Sequence, residues 1–158
     1  MKIGECCNRE VITAEKDMSI TEVARLMQEH HVGDLIVVEN MNGRNRPIGI
    51  VTDRDLVIEV LAQMAPVDAI RVGDVMSYDI ATVGENNEMW ETLELMRKLG
   101  VRRMPVVDVA GVLVGIITLD DLMELMAEAM GHIASLIRRE IGTEARRRSG
   151  DRPLGRRE

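Results

Sequence analysis

Phenylalanine is absent from these 158 residues, and there is one tryptophan (Trp90) and one tyrosine (Tyr78). Surfaces that hold single-stranded nucleic acid stack bases on aromatic rings, so that class of binding has almost no platform here. A formal net charge of −7 argues further against binding to a phosphate backbone. Cysteine is limited to the adjacent Cys6 and Cys7, and histidine to His30, His31 and His132. Neighbouring cysteines rarely bridge each other, and no four ligands stand at zinc-site spacing, so no metal site is expected. Reduced thiols are the simplest reading, and they point to the cytoplasm. No apolar run approaches the length of a membrane span, and the N-terminus lacks a signal-peptide core. Catalytic patterns are missing too: there is no Walker loop, no recognisable Ser–His or Cys–His motif and no marked carboxylate pair. The expectation is a protein that is not an enzyme and requires no cofactor.

What the chain does have is aliphatic. Its hydrophobic share is 46%, and the twelve methionines are expected to fill core gaps between aliphatic side chains. It also has a repeat. Shifted by 69 positions, Lys2-Ile3-Gly4-Glu5 falls on Arg71-Val72-Gly73-Asp74, and Val11-Ile12-Thr13 on Ile80-Ala81-Thr82. Past a loop that is three residues longer in the first copy, the shift becomes 66, and Gly49-Ile50-Val51-Thr52-Asp53-Arg54-Asp55 falls on Gly115-Ile116-Ile117-Thr118-Leu119-Asp120-Asp121. A duplicated unit of this size implies a pseudo-two-fold pair with a cleft between the halves.

Periodicity gives each copy the order β-α-β-β-α. In the first, Ser19 and Glu22 form a capping box, and Ile20, Val23, Ala24 and Met27 share one helix face ending near His30-His31. Strands are expected over 35–38 and 48–51, with a turn region over 40–47 centred on Asn42-Gly43 and a helix over 53–64 closed by Pro66. In the second, Met89, Leu93 and Met96 mark a helix stopped by Gly100. Strands over 104–107 and 112–118 follow. The fold class is α/β (α+β), with two short sheets packed face to face. The expected division is 1–65 for repeat one, 66–128 for repeat two, 129–141 for a helical extension and 142–158 for a disordered basic tail. Leu122, Met126, Ala129, Ile133 and Leu136 run along the last helix at coiled-coil spacing. From Gly142 arginines alternate with small polar residues, a composition that does not build a core.

Thr52-x-x-Asp55 and Thr118-x-x-Asp121 are the most informative local elements. Each follows an apolar strand opened by a glycine, and each opens a helix. One reading is a helix cap. The other is a paired ligand site, in which backbone N–H groups and the threonine hydroxyl meet a phosphate and the aspartate accepts from a ribose diol.

These segments, the repeat order and Val101-Arg102-Arg103-Met104-Pro105-Val106-Val107-Asp108 resemble a tandem pair of cystathionine-β-synthase (CBS) domains, a Bateman module, over residues 2–128. The resemblance implies two clefts that take adenosine ligands such as AMP, ADP, ATP or an adenosyl compound. The first would draw on Ile50, Thr52, Arg54, Asp55, Ala81, Thr82, Arg102, Arg103 and Pro105. The second would draw on Ile12, Thr13, Gly33, Asp34, Ile116, Thr118 and Asp121. Arg54, Arg102 and Arg103 suit a phosphate, whereas the matching Asp120, Gly33 and Asp34 do not. The first cleft is therefore expected to hold a phosphorylated adenosine ligand, and the second a less anionic ligand or none. Repeat one departs from the pattern in having Ile36 where repeat two has Pro105. The resemblance also implies a homodimer that acts on a regulated partner protein. The alternative is a dimerisation or partner-docking protein that works through its C-terminal helix without nucleotide.

Overall fold

The structure is a computed structural model that describes residues 1–150, with side chains described to residue 144. The element order is α1 (Ile3–Cys6), β1 (Thr13–Glu15), α2 (Ile20–His30), β2 (Asp34–Met41), β3 (Arg44–Thr52), α3 (Asp53–Asp55), a π-helical segment (Leu56–Leu61), α4 (Val72–Val75), β4 (Val83–Gly84), α5 (Met89–Leu99), β5 (Arg103–Val107), β6 (Leu113–Thr118) and α6 (Leu119–Gly150). Two three-stranded sheets result, β1-β2-β3 and β4-β5-β6. In each the first strand pairs parallel to the second, and the third returns antiparallel. The expected mixed fold is thus observed.

Local chemistry sets the element ends. Ser19 and Glu22 cap α2 reciprocally, and the left-handed His31, at φ 54°, closes it. Gly100, at φ 68°, closes α5 at the corresponding place. Such a conformation is cheap for glycine and costly for histidine. The hairpin between β2 and β3 is tighter than the expected 40–47 region. Asn42 (φ 54°) and Gly43 (φ 80°) make the whole turn, because both tolerate positive φ and their twist matches that of the flanking strands.

The helix expected over 53–64 is another departure. One α-turn over Asp53–Asp55 widens into the π-helical segment, with Ala62 N–H donating to Val57 O at 2.8 Å and Ala65 N–H to Val60 O at 3.0 Å. Val57, Ile58 and Val60 are β-branched and crowd a regular α-turn, which favours the wider one. Met64, at φ 51°, ends the segment before Pro66.

The repeats interlock by exchanging their leading segments. Ile3 N–H donates to Asn87 O and Gly4 N–H to Glu85 O, while Val72 N–H donates to Met18 O and Gly73 N–H to Lys16 O. Asn8 and Ile116 exchange both backbone bonds, as do Ser77 and Ile50. Each of these pairs is the image of the other under the sequence repeat. The core of repeat one, built on Val23, Leu35, Val37 and Val51, is accordingly completed by Val72 and Met76. Ile3 is fully buried.

Contacts divide the chain into a unit of residues Met1–Leu119 and a second unit that begins at Asp120. The last helix was expected to stop near Ile141, with disorder from Gly142. Instead α6 runs to Gly150. Arginine and alanine favour helix strongly enough to carry it through one glycine, and Thr143 Oγ1 donates back to Arg139 O at 2.8 Å. The rest of the expected tail lies outside the described residues. Of the expected apolar seam Leu122 is buried, while Met126, Ile133 and Leu136 are exposed. Among the described residues no helix is long and apolar enough to cross a membrane.

Candidate functional site

The first corner is built at Thr52, where β3 ends and α3 begins. Thr52 is extended, at φ −116° and ψ 160°. Asp55 N–H donates to Thr52 Oγ1 at 3.1 Å, and Thr52 N–H donates to Asp55 Oδ2 at 2.8 Å. The element is thus a reciprocal capping box. That box uses a lone pair of the hydroxyl and one carboxylate oxygen, so the hydroxyl proton and Oδ1 are outside it. Both residues are half-buried. Arg54 is exposed beside them, and its N–H donates to Asp53 Oδ1 at 2.7 Å.

The two corners are tied to their sheets in the same way. Asp53 N–H donates to Gly33 O at 2.9 Å, and Leu119 N–H donates to Arg102 O at 2.8 Å. A side chain at Gly33 would crowd Asp53, since its Cβ would lie 3.2 Å from Oδ2. In repeat two, Thr118 ends β6, and Asp121 stands half-buried in the first turn of α6.

Register then joins residues that the sequence had assigned to different clefts. Thr52 pairs with Asp34 across β2 and β3, and Thr118 pairs with Arg103 across β5 and β6. Asp34 and Arg103 occupy equivalent positions in the repeat, and an ion pair links them. The Asp34 side chain is 9% exposed and that of Arg103 41%. Arg103, expected as a phosphate partner of the first cleft, is therefore engaged by a carboxylate expected in the second. At this position the opposite charges of the repeats join the halves. Pro105 is buried and faces Ile116 across the same sheet.

The exchanged segments bring in the remaining residues. From the Ser77 bridge at Ile50 the chain runs on through Ala81, half-buried, to Thr82, exposed at the head of β4. From the Asn8 bridge at Ile116 it runs on to Ile12, which packs on the core of repeat one, and Thr13, which pairs with Ile36. Thr82 lines a cleft of about 250 Å³ with Glu39, Arg46, Pro47, Ile48, Val107 and Gly111. Sequence reading missed Glu39 and Arg46, because they fell beside or inside a presumed turn. The signal was Asn42-Gly43, whose two-residue turn leaves both on strands.

Gly49 and Gly115, which lie three residues before Thr52 and Thr118 inside β3 and β6, have a steric reason. A Cβ on Gly49 would lie 2.4 Å from Ser77 O, and one on Gly115 would lie 2.6 Å from Cys7 Sγ and 2.9 Å from Asn8 O. The crossing backbone needs that space. Cys7 occupies the place that Met76 takes in the other repeat, so at least this cysteine has a packing role. Among the described residues no cluster of three or more His, Cys, Asp or Glu could hold a metal ion.

Comparison with known proteins gives this arrangement a family. The CBS domain model matches residues 3–62 and 72–128. An uncharacterized protein of Methanopyrus kandleri is 39% identical over 125 residues, 79% of this chain and 62% of that protein, so the chain spans less than two thirds of this relative. An inosine-5′-monophosphate dehydrogenase of Methanocaldococcus jannaschii is 35% identical over 123 residues, which is 78% of this chain and 23% of that enzyme. Among solved structures, the CBS domain pair of protein MJ0100, in complex with 5′-methylthioadenosine and S-adenosyl-L-methionine, superposes with a TM-score of 0.69 at 25% identity, covering 82% of this chain and 98% of that one.

Proposed function

This chain belongs to the CBS domain family, and we propose that it is a non-catalytic regulatory module whose cleft senses an adenosine compound. The observation that carries the reading is the half-buried Thr52–Asp55 box at the end of β3, repeated in sequence as Thr118 and Asp121. Asp55 Oδ1 accepts from the vicinal hydroxyls of a ribose, and the Thr52 hydroxyl donates to a phosphate oxygen. Ile50, Pro105 and Ala81 supply an aliphatic slot for the adenine ring, and Thr82 stands at its mouth. Arg54, Arg102 and Arg103 are the cations near an AMP-like phosphate, and Arg103 is also engaged by Asp34. The adenosyl ligands of the MJ0100 pair support this ligand class. AMP, ADP and ATP are the anionic candidates for the first site. The second site, with Ile12, Thr13, Gly33, Asp34, Ile116, Thr118 and Asp121, takes a less anionic adenosine compound or none. The module works as a homodimer that acts on a separate regulated protein.

Calorimetry with AMP on the chain and on its Asp55→Ala and Asp121→Ala variants tests the assignment. Affinity falls at least roughly tenfold in the first variant, the cost of an unmade hydrogen bond to a charged group, and little in the second. Equal loss in both, or loss only in Asp121→Ala, overturns the asymmetry. If AMP, ADP, ATP and 5′-methylthioadenosine all fail to bind the unaltered chain, the ligand class is wrong. A second reading, protein–protein contact through α6, is favoured by the exposed Met126, Ile133 and Leu136.

A further inference from the structure

Charge is divided unevenly along this chain. Residues 1–137 hold twelve lysines and arginines against twenty-three acids, whereas residues 138–158 hold eight arginines against four acids. An acidic chain thus turns basic only past the middle of α6. The helix dipole favours cations in the last turn, but its influence fades within that turn and does not reach Arg138 or Arg139, well before the end at Gly150.

An apolar row lies at the same place. Met130, Ile133, Ile137 and Ile141 are 51–67% exposed and follow one another at intervals of three, four and four, so they line one face of the helix. Residues 129–137 hold no Asp, Glu, Lys or Arg. His132, Ser135, Arg139 and Gly142 recur along the opposite face, and Arg138 and Glu140 border the apolar row on either side. A continuous apolar row, unlike single exposed residues, marks a contact surface. This one lies beyond residue 128, where the family match ends, and shares no residue with the clefts.

The two features together select the partner. RNA or DNA would meet the arginines but leave the apolar row in water, and α6 has no aromatic side chain on which a base could stack. An anionic bilayer surface meets both. Its acyl boundary takes apolar side chains to a depth of about 5–10 Å, and its phosphates attract arginines from within a Debye length of about 8 Å. From Met130 to Ile141 the row is about 17 Å long, roughly half of a bilayer core, so the helix lies on the surface and does not span it.

We propose that the segment 130–144 of α6 docks flat on an anionic phospholipid surface, with its apolar row among the outer ends of the acyl chains and Arg138 and Arg139 at the level of the headgroups. The arginines that follow in sequence add to the attraction. The acidic remainder of the chain is repelled by the same surface, which confines the contact to this segment. Docking uses no residue of the clefts, so it stands or falls apart from the sensing role.

Vesicle cosedimentation of the full chain tests the proposal. The chain pellets with vesicles of equal parts phosphatidylglycerol and phosphatidylcholine and stays in solution with phosphatidylcholine alone. Added salt weakens binding, because it screens the arginines. Arg138→Gln together with Arg139→Gln weakens it roughly twentyfold, about fivefold for each charge withdrawn from an anionic surface. Ile133→Asp together with Ile137→Asp weakens it at least roughly tenfold, because a carboxylate enters the acyl boundary only by losing its water. Both variants keep the helical circular dichroism and cooperative melt of the unaltered chain. A chain that stays in solution with anionic vesicles, that binds neutral vesicles equally, or that is undiminished by either pair of substitutions overturns the proposal. So does a chain that binds single-stranded RNA but no vesicle, which would assign the arginines to a nucleic acid.

Discussion

Glu22 shows how one side chain writes a pH dependence into this fold. Its Oε2 accepts from Ser19 Oγ at 2.7 Å and from Ser19 N–H at 2.8 Å, and its own N–H donates to Ser19 Oγ at 3.2 Å. The Ser19 hydroxyl, and after it the Ser19 backbone, holds the Glu22 carboxyl below its ordinary range. A group whose folded pKa is lowered binds its proton more readily in the unfolded chain, so its contribution is present above the unfolded value, about 4.3, and is lost as pH falls through the folded value. The expected result is that the urea midpoint rises with pH across that acid window and that Glu22→Gln flattens the rise, as denaturation at stepped pH would measure. A midpoint equally steep in Glu22→Gln would assign the dependence to other carboxylates. Asp34 and Arg103 make a different case, because the carboxylate is nearly buried. Arg103→Gln leaves that charge without its cation and is expected to cost about 1–3 kcal/mol. The loss is smaller when Asp34→Asn accompanies it, as a double-mutant cycle would show. No sequence pattern revealed this pair. Its members are 69 positions apart at equivalent places in the repeat, and only the packing of one sheet end against the other makes them partners.

At the scale of elements, much of the fold was legible because the signals were local. The Ser19–Glu22 box, the aliphatic faces of α2 and α5 and the left-handed closure at Gly100 each rest on a few consecutive residues. What could not be read depended on partners far along the chain. Gly49 and Gly115 look like ordinary strand glycines until another backbone is seen to cross them. Gly49→Ala and Gly115→Ala are therefore expected to destabilise by about 1–3 kcal/mol, the range for overpacking a filled contact. Gly142→Ala runs the other way. It sits inside α6 with nothing within 4 Å of its Cβ position, and it should add roughly 0.5–1 kcal/mol of helix stability. Thermal melts of the three variants check both signs, and a stabilising Gly49→Ala would refute the close crossing. The candidate site divides in the same way. The Thr52–Asp55 corner was legible from spacing, whereas the strand positions of Glu39 and Arg46 beside the cleft were hidden by a turn read as eight residues long and built from two.

The molecule as a whole follows from the exchange of leading segments. Repeat one closes its core with Val72 and Met76, and repeat two takes up the buried Ile3 together with the Asn8 crossing. Neither half is complete on its own. Two fully buried valines or isoleucines are worth about 1.5–3 kcal/mol each, a large share of the stability of so small a unit. The crossing bonds at Ile50 and Ile116 would be lost with them. Divide the chain between Met64 and Arg71, and each fragment should lack a cooperative thermal transition by circular dichroism. An equimolar mixture should regain one, because the severed loop carries none of the exchanged contacts. A first fragment that melts cooperatively alone would show that the exchange decorates a self-sufficient repeat. If only the mixture folds, the clefts exist only in the joined pair, since each takes its corner from one repeat and its crossing segment from the other. A ligand that binds there then favours the joined halves over the separated ones, and adenosine nucleotide should raise the melting temperature of the reassembled mixture while leaving each isolated fragment unchanged.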